Sequence, residues 1–263
     1  MSIFRALAEI NEKGEVGALC IIVRSHGSTP RRVGSKMLVL PDGQIVGTIG
    51  GGEMENRVRG EALDAIQDGE TRILEYNMID PVAGDPGVCG GTLEVYVEPI
   101  IPRPVVVIVG MGHVGKEVTH LAKWLDFKVV ITDDRDGFCS PEAVPDDVER
   151  YPVTIEDFAN QFKITPSTYI VLTSRSGEVD VAGLPSLLKS EAAYIGVIGS
   201  QRRWAFTKEL LMEKGVSAEK LAQVHSPIGL RLGGEKPNEI AMSIMAEILM
   251  IQNSGDGKSM INR

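Results

Sequence analysis

The chain has 263 residues, 43% of them apolar and 24% charged, which is the balance of a globular protein with one large domain or two ordinary ones. Its net charge of −9 and pI near 5.1 leave no cluster of Lys and Arg for nucleic-acid binding. No apolar run approaches the roughly 20 residues of a membrane span and no signal peptide is evident, so we expect no membrane partner and a cytoplasmic location.

The first hundred residues predict a mixed helix-and-sheet domain. In chain order, the apolar spacing and turn residues predict a helix over 2–13, a strand over 16–23, a hairpin from 36–40 and 44–48, a helix over 53–67, and strands at 71–76 and 92–97. Pro41-Asp42-Gly43 forms the hairpin turn. A long loop is expected over 80–91.

Three prolines, Pro99, Pro102 and Pro104, interrupt the pattern and predict a boundary between domains 1–101 and 102–263. Beyond them strands and helices alternate. Strands are expected at 105–109, 128–132, 168–173 and 194–198, and helices near 114–125, 155–162, 202–214 and 238–251. Such alternation predicts a parallel sheet covered on both faces. The fold class is therefore α/β, with an N-terminal α/β (α+β) domain followed by a Rossmann-like domain.

A glycine-rich loop, Gly110-Met111-Gly112-His113-Val114-Gly115, follows the apolar strand 105–109 and leads into a predicted helix. In this setting Gly110 permits the tight turn, Gly112 lets a phosphate approach the backbone, and Gly115 lets the helix and strand pack closely. The free N–H groups of the helix favour an anion. We therefore predict that this loop binds a nucleotide-like ligand.

Asp133 follows the loop at about the 20-residue offset typical of the acid that binds ribose hydroxyls. An acid here favours NAD over NADP. The alternative is a Rossmann-like fold that has lost its ligand, with Asp133 solvated. His113 is either a catalytic residue or an exposed residue at the start of the helix.

Three loops of the first domain carry candidate chemistry. Ser28-Thr29-Pro30-Arg31-Arg32 could hold an anion through its hydroxyls and the guanidinium groups of Arg31 and Arg32. Gly50, Gly51 and Gly52 precede a helix, which is the geometry of an anion site. Cys89 lies beside Gly90 and Gly91, where its thiol could be reactive. Each loop alone is also compatible with ordinary turn chemistry.

A further candidate phosphate site lies in the second domain. Gly199 and Ser200 open a helix carrying Arg202 and Arg203, which either bind a phosphate or are solvated. Cys20 and Cys139 complete a set of three scattered cysteines, which predicts free thiols and no zinc site.

Several segments together resemble the XdhC/CoxI family of xanthine dehydrogenase accessory proteins. They are Gly27–Met37, Val46–Gly52, Val88–Val95, the Gly110–Gly115 loop with Asp133-Asp134-Arg135, Tyr194–Arg203, His225–Leu230 and Pro237–Ala241. The resemblance implies a protein that binds molybdenum cofactor (molybdopterin), helps it acquire sulfur from a cysteine desulfurase, and delivers it to a molybdenum hydroxylase apo-enzyme. Cys89 would then contact molybdenum or lie near the transferred sulfur.

Two departures from the family pattern remove residues that many relatives carry, and they put in doubt a mechanism that needs two cysteines or a histidine at those positions. Glu53 stands where many relatives carry a second cysteine, and Thr173–Glu178 replaces a segment that often contains a Gly-His pair. The alternatives are an NAD-dependent oxidoreductase, with His113 or His225 as proton donor, and a docking module. A homodimer is expected from the frequency of such assemblies among soluble proteins.

Overall fold

The structure is a computed structural model that describes residues 2–77, 90–144 and 147–262. The chain divides into two compact units between Pro102 and Arg103. The break lies among the three prolines that separate the two predicted patterns. Each unit has its own sheet and its own apolar core.

The first unit is built on an antiparallel sheet. Its elements are α1 (Ile3–Lys13), β1 (Gly17–His26), β2 (Lys36–Val39), β3 (Ile45–Gly47), α2 (Gly52–Asp68), β4 (Arg72–Asn77) and β5 (Thr92–Ile100). The strand order is β3-β2-β1-β5-β4. Every predicted helix and strand of this part of the chain is present. Strand β1 runs three residues further than expected, because its carboxyl end pairs with β5 up to His26 and Thr92.

Helix α2 covers this sheet with a face of small and medium-sized apolar residues. Its buried positions are Met54, Val58, Ala62 and Ala65, which recur at helical spacing. They pack against the side chains of Cys20, Ile22, Val95 and Val97 on the central strands. Small residues on the helix allow close approach to the sheet. Gly69 ends the helix in the left-handed conformation, as expected of glycine after a helix.

The second unit contains a parallel sheet. Its elements are β6 (Val105–Val109), α3 (His113–Trp124), β7 (Lys128–Thr132), β8 (Glu149–Tyr151), α4 (Ile155–Gln161), β9 (Thr168–Leu172), α5 (Gly177–Leu187), β10 (Tyr194–Val197), α6 (Gln201–Glu213), α7 (Ala218–Ala222), β11 (Val224–His225) and α8 (Pro237–Gln252). The strand order is β11-β10-β9-β6-β7-β8. From β6 the chain adds β7 and β8 on one side of the sheet, and it then crosses over to add β9, β10 and β11 on the other side. This is the Rossmann order, and it confirms the predicted fold class.

Both faces of the parallel sheet are covered. Alternate residues of the strands contribute to two separate apolar clusters, one with α3 and α8 and the other with α4, α5 and α6. The strands are therefore buried on both sides, which explains their nearly continuous Val and Ile composition. None of the helices in the described ranges combines the length and hydrophobicity that a bilayer-spanning segment needs.

Four of the elements named above, α5, α7, β8 and β11, were not predicted. Helix α7 has only five residues, little more than one turn, so no helical spacing could indicate it. Helix α5 was not predicted, because Gly183 and Pro185 within it are typical of a loop. Strands β8 and β11 have only three and two residues, too few for a pattern to indicate them. A β-carbon at Gly183 would lie 2.4 Å from Cβ of Ile155, so glycine is required where α5 packs against α4.

Candidate functional site

The glycine-rich loop of the second unit connects β6 to α3, and two of its glycines are fixed by close backbone contacts. Gly110 has a φ of +99°, and a β-carbon there would lie 2.8 Å from the carbonyl oxygen of Thr173. A β-carbon at Gly115 would lie 2.1 Å from the carbonyl oxygen of Gly110. Both residues therefore serve the turn and the packing of helix on strand.

Gly112 is different, because the protein around it leaves room. Its φ of −72° suits any residue, and a β-carbon would meet no protein atom within 4 Å among the described residues. It is the N-cap residue of α3, and no side chain caps the helix there. Open space at an uncapped helix N-terminus is the arrangement that an approaching anionic group needs. His113 is the first residue of the helix and is exposed.

Asp133 lies just beyond the carboxyl end of β7, and its carboxylate is already bound within the protein. Its side chain is 2% exposed. One oxygen accepts hydrogen bonds from the backbone N–H of Met111 at 2.7 Å and from Nη2 of Arg135 at 2.6 Å. The other accepts from Nε and the backbone N–H of Arg135 at 2.8 and 3.0 Å.

These contacts determine the charge state of Asp133. Burial by itself raises the pKa of Asp133, but the hydrogen bonds from Arg135 and Met111 lower it further than burial raises it. The carboxylate is therefore ionised and paired at neutral pH. A ribose hydroxyl could bind Asp133 only in competition with these donors. The ribose-binding role of Asp133 stays a prediction, and the structure gives Asp133 a second role, which is to hold Arg135.

A cavity of about 140 Å³ opens beside this pair at the carboxyl ends of β6, β7 and β9. Its lining includes Gly110, Asp133, Arg135 and Arg175, and its apolar wall is formed by Val109, Val153, Ile155, Val179 and Ala182. Arg175 binds Asp134 through two hydrogen bonds of 2.7 and 3.2 Å. Two Asp–Arg pairs thus line one cavity. Carboxyl ends beside a reversal in strand order are where α/β folds bind ligands.

Two of the residues predicted to contact a phosphate at the start of α6 already have partners within the protein. The Ser200 hydroxyl accepts the backbone N–H of Arg203 at 3.2 Å and so caps the helix. Arg203 donates from Nη2 to the fully buried Asp180 at 2.6 Å. Arg202 is exposed, and neither it nor Gly199 and Ser200 belongs to the described lining of the cavity.

A further buried acid, Glu247 on α8, was missed by the sequence analysis. Its carboxylate accepts hydrogen bonds from the Tyr194 hydroxyl and from the backbone N–H of Gly229, the latter at 2.7 Å. The other carboxylate oxygen lies 3.3 Å from Nδ1 of His225. Burial raises the pKa of Glu247, but these hydrogen bonds lower it more. The available signal was an acid on the apolar face of a helix, one residue before Ile248.

The three predicted loops of the first unit lie together at one end of its sheet. A β-carbon at Gly50 would lie 2.9 Å from Cβ of Pro30, so the triple-glycine loop touches the Ser28–Arg32 loop. A β-carbon at Gly91 would lie 2.4 Å from the carbonyl oxygen of Ser28. Gly91 is thus packed against the same loop. The structure therefore brings residues 28–32, 50–52 and 90–91 into one cluster, which we call the three-loop cluster.

The carboxylate of Glu55, next to the three-loop cluster, accepts several hydrogen bonds from the residues around the triple glycine. Oε2 of Glu55 accepts the Thr48 hydroxyl at 2.5 Å and the backbone N–H groups of Ile49 and Gly51 at 3.0 and 3.1 Å. Burial raises the pKa of Glu55, and these hydrogen bonds lower it more, so that it lies below its ordinary value. Gly52 has open space around it. An external anion here would have to compete with the ionised Glu55 carboxylate for these N–H groups.

The structure describes the arginines of the three-loop cluster but not the adjoining cysteine. Arg31 and Arg32 are exposed. Cys89, the predicted functional thiol, lies outside the described residues. Cys20 and Cys139 are buried free thiols, and burial raises the pKa of Cys20 to about 12 and also raises that of Cys139. Neither is suited to act as a thiolate. Among the described residues, no three or more His, Cys, Asp or Glu side chains gather as a metal site.

Comparison with known proteins gives relatives for both units. The family described as "XdhC Rossmann domain" matches residues 106–248, and the family described as "XdhC and CoxI family" matches residues 11–77. The chain is 34% identical to "Uncharacterized protein YqeB" of Escherichia coli (strain K12) over 99% of its own length and 48% of that protein. It is 20% identical to "Molybdenum cofactor insertion chaperone PaoD" of the same organism, over 95% of this chain and 88% of that protein.

Two further comparisons extend this result. The chain is 29% identical to a probable xanthine dehydrogenase subunit of Bacillus subtilis (strain 168), over 60% of this chain and 46% of that protein. It therefore spans about half the length of two of the curated relatives that it matches. A crystal structure described as a xanthine dehydrogenase from Bacillus halodurans shares the fold, with a TM-score of 0.51 and 22% identity over 99% of both chains. The family match over the Rossmann unit, joined by the match in the first unit, shows that the chain belongs to the XdhC and CoxI family.

Proposed function

We propose that this chain is an accessory protein for the maturation of a molybdenum hydroxylase of the xanthine dehydrogenase type. In this role it binds molybdenum cofactor, assists its sulfuration and inserts it into the apo-enzyme. The observation that carries the proposal is the similarity to the molybdenum cofactor insertion chaperone, because it extends over nearly the whole of both chains. The similarity to the probable xanthine dehydrogenase subunit of Bacillus subtilis supports the same class of client.

The three-loop cluster is the part of the first unit that we assign to the cofactor. Molybdopterin carries an anionic phosphate, for which exposed Arg31 and Arg32 are suitable partners. The backbone at Gly52 and Gly90 leaves room for a ligand, since a β-carbon at either would meet no described atom within 4 Å. Cys89 adjoins Gly90 in the chain and would supply a soft sulfur ligand to molybdenum.

The proposal includes partners that follow from this role. These are the apo-hydroxylase, a cysteine desulfurase that supplies the sulfur, and a second copy of this chain in a homodimer. We also propose the cytoplasm as its location. The buried Cys20 and Cys139 leave Cys89 as the thiol for sulfur handling.

The test is purification of the full chain from cells that make molybdenum cofactor. Molybdenum is measured by mass spectrometry, and the pterin by the fluorescence of its oxidised form. We expect both in the wild-type protein and a strong reduction of both in Cys89→Ser. Cys20→Ala is the matched control, since Cys20 is buried in the sheet and its loss leaves the three-loop cluster intact. Absence of both signals from wild type, with a client that matures normally without the protein, would contradict the proposal.

A second candidate function is an NAD-dependent oxidoreductase acting on a small or pterin-like substrate. It is favoured by the Rossmann strand order and by the open space at Gly112. His225, oriented by Glu247, is the candidate proton donor, and His113 is the other. Titration with NAD and NADH tests this candidate, and no saturable binding at millimolar concentration would remove it. Molybdopterin retention is measured separately, so the two functions can fail independently.

A further inference from the structure

The cavity beside Asp133 is sized for part of a ligand. Pockets for whole drug-sized ligands measure roughly 300–1,000 Å³, whereas this cavity measures about 140 Å³. Its apolar wall carries Val153, Ile155 and Val179, with Arg135 and Arg175 among the polar lining residues. An apolar space of this size beside guanidinium groups is suited to one planar ring system.

Arg135 is held rigidly at this cavity. Its Nε and Nη2 bind the two oxygens of Asp133 at 2.8 and 2.6 Å. Its guanidinium carbon lies 3.6 Å from the centroid of the Phe138 ring, which is a cation–π contact. Phe138 does not line the cavity, whereas Arg135 does and keeps 31% of its side-chain surface exposed. The guanidinium is thus fixed at one edge by Asp133 and supported by an aromatic ring.

We propose that Arg135 is a stacking platform for the nucleobase of a nucleotide bound in this cavity, and that Asp133 positions Arg135. An arginine stacks on planar rings in a way that lysine cannot, because its cation is planar and delocalised. The nucleotide phosphate then lies toward Gly112 and the uncapped N-terminus of α3, two residues beyond Gly110 of the cavity lining.

The local charges favour a nucleoside over a more highly charged group in the cavity itself. Asp133 pairs with Arg135 and Asp134 pairs with Arg175, and Glu156 also lines the cavity, so the acids of the lining outnumber its cations by one. A base gains stacking and apolar contact here without a large change in charge. The adenine half of NAD and the base of a molybdopterin dinucleotide share this chemistry, which is a nucleoside monophosphate.

This inference goes beyond the proposed function and concerns the second unit alone. The experiment is calorimetric titration of the full chain with AMP and, separately, with ribose 5-phosphate, which lacks the base. We expect wild type to bind AMP about tenfold more tightly than ribose 5-phosphate, which is the scale of one desolvated cation–π contact. Arg135→Lys should remove most of that difference and leave ribose 5-phosphate binding unchanged.

Two variants make the result decisive. Arg103→Lys is the matched control, because Arg103 binds the Asp126 carboxylate outside the cavity. It should leave both titrations unchanged. Phe138→Leu keeps an apolar side chain but removes the ring behind Arg135, and it should weaken AMP binding several-fold. If Arg135→Lys does not fold, as judged by circular dichroism, Phe138→Leu alone decides the question.

The outcomes separate the proposal from its alternatives. Equal loss of AMP and ribose 5-phosphate binding in Arg135→Lys would overturn the stacking role, as would the absence of saturable binding by AMP, CMP, GMP and NAD to wild type. A preference for AMP and NAD identifies a nicotinamide dinucleotide as the source of the base, and a preference for CMP or GMP identifies a molybdopterin dinucleotide. Either preference supports the stacking role of Arg135. Neither depends on the result obtained with Cys89→Ser.

Discussion

Replacement of Glu247 tests whether the buried acid of α8 organises the loop after β11. The Glu247 residue is 9% exposed, and its carboxylate binds the Tyr194 hydroxyl and the backbone N–H of Gly229. In Glu247→Ala the buried Tyr194 hydroxyl and the half-buried N–H of Gly229 lose their acceptor, at about 1–3 kcal/mol each, with the smaller cost expected for Gly229. The lost packing of the side chain adds to this cost, so we expect a decrease of about 3–5 kcal/mol in the free energy of unfolding.

Glu247→Gln provides an internal comparison. A glutamine oxygen can still accept both donors, and its amide nitrogen can face Nδ1 of His225 when that atom carries no proton. The change replaces charge-assisted hydrogen bonds with neutral ones, which costs about 1 kcal/mol. Glu213→Gln, at an exposed position on α6, should stay within about 0.5 kcal/mol of wild type.

Urea unfolding followed by tryptophan fluorescence is the assay. Both tryptophans, Trp124 and Trp204, lie in the second unit, so the signal reports on the unit that contains Glu247. The two units need not unfold together, and a probe confined to one of them avoids that complication. The reasoning would be refuted if Glu247→Ala were no more destabilising than Glu213→Gln, or if Glu247→Gln cost as much as Glu247→Ala.

Two further predictions concern the glycine-rich loop and the three-loop cluster. Gly115→Ala should destabilise the second unit by about 1–3 kcal/mol, because the added β-carbon would lie 2.1 Å from a backbone oxygen. Gly112→Ala should leave urea unfolding unchanged and weaken AMP binding. Equal urea unfolding of the two variants would contradict this prediction. Because hydrogen bonds lower the pKa of Glu55, its stabilising contribution is present above the unfolded-state pKa of about 4.3 and is lost as pH falls through the lower folded-state pKa. Glu55→Gln should therefore flatten this acid-dependent loss, measured by circular dichroism of thermal unfolding between neutral pH and pH of about 3, and an unchanged slope would contradict the assignment.

The sequence was most informative where local pattern and local structure coincide. The strands at 105–109, 128–132 and 168–172 were recognisable because burial on both faces makes them continuously apolar. The helix over 177–187 was not, because the reason for Gly183 is Ile155 on another helix. A glycine required by a tertiary contact has the same sequence signal as a glycine in a loop.

The candidate site shows the same division. The spacing from Gly110 to Asp133 placed both residues at the carboxyl edge of one sheet, where the structure has them. It could not indicate that Arg135 turns back onto Asp133, since this depends on the conformation of the residues after β7. Nor could it pair Asp180 with Arg203, whose contact depends on how α5 packs against α6.

Three buried acids each bind a loop at the carboxyl edge of the parallel sheet. Asp133 binds the backbone of Met111 in the loop after β6. Asp180 binds the Ser174 hydroxyl after β9, and Glu247 binds the backbone of Gly229 after β11. Buried charges cost free energy unless they are fully paired, and each of these acids uses that pairing to fix a loop that follows a strand. Loops fixed in this way present a preorganised surface, which costs less entropy when a ligand binds. This arrangement favours a ligand-binding role for the Rossmann unit over a docking module whose fold has lost its ligand.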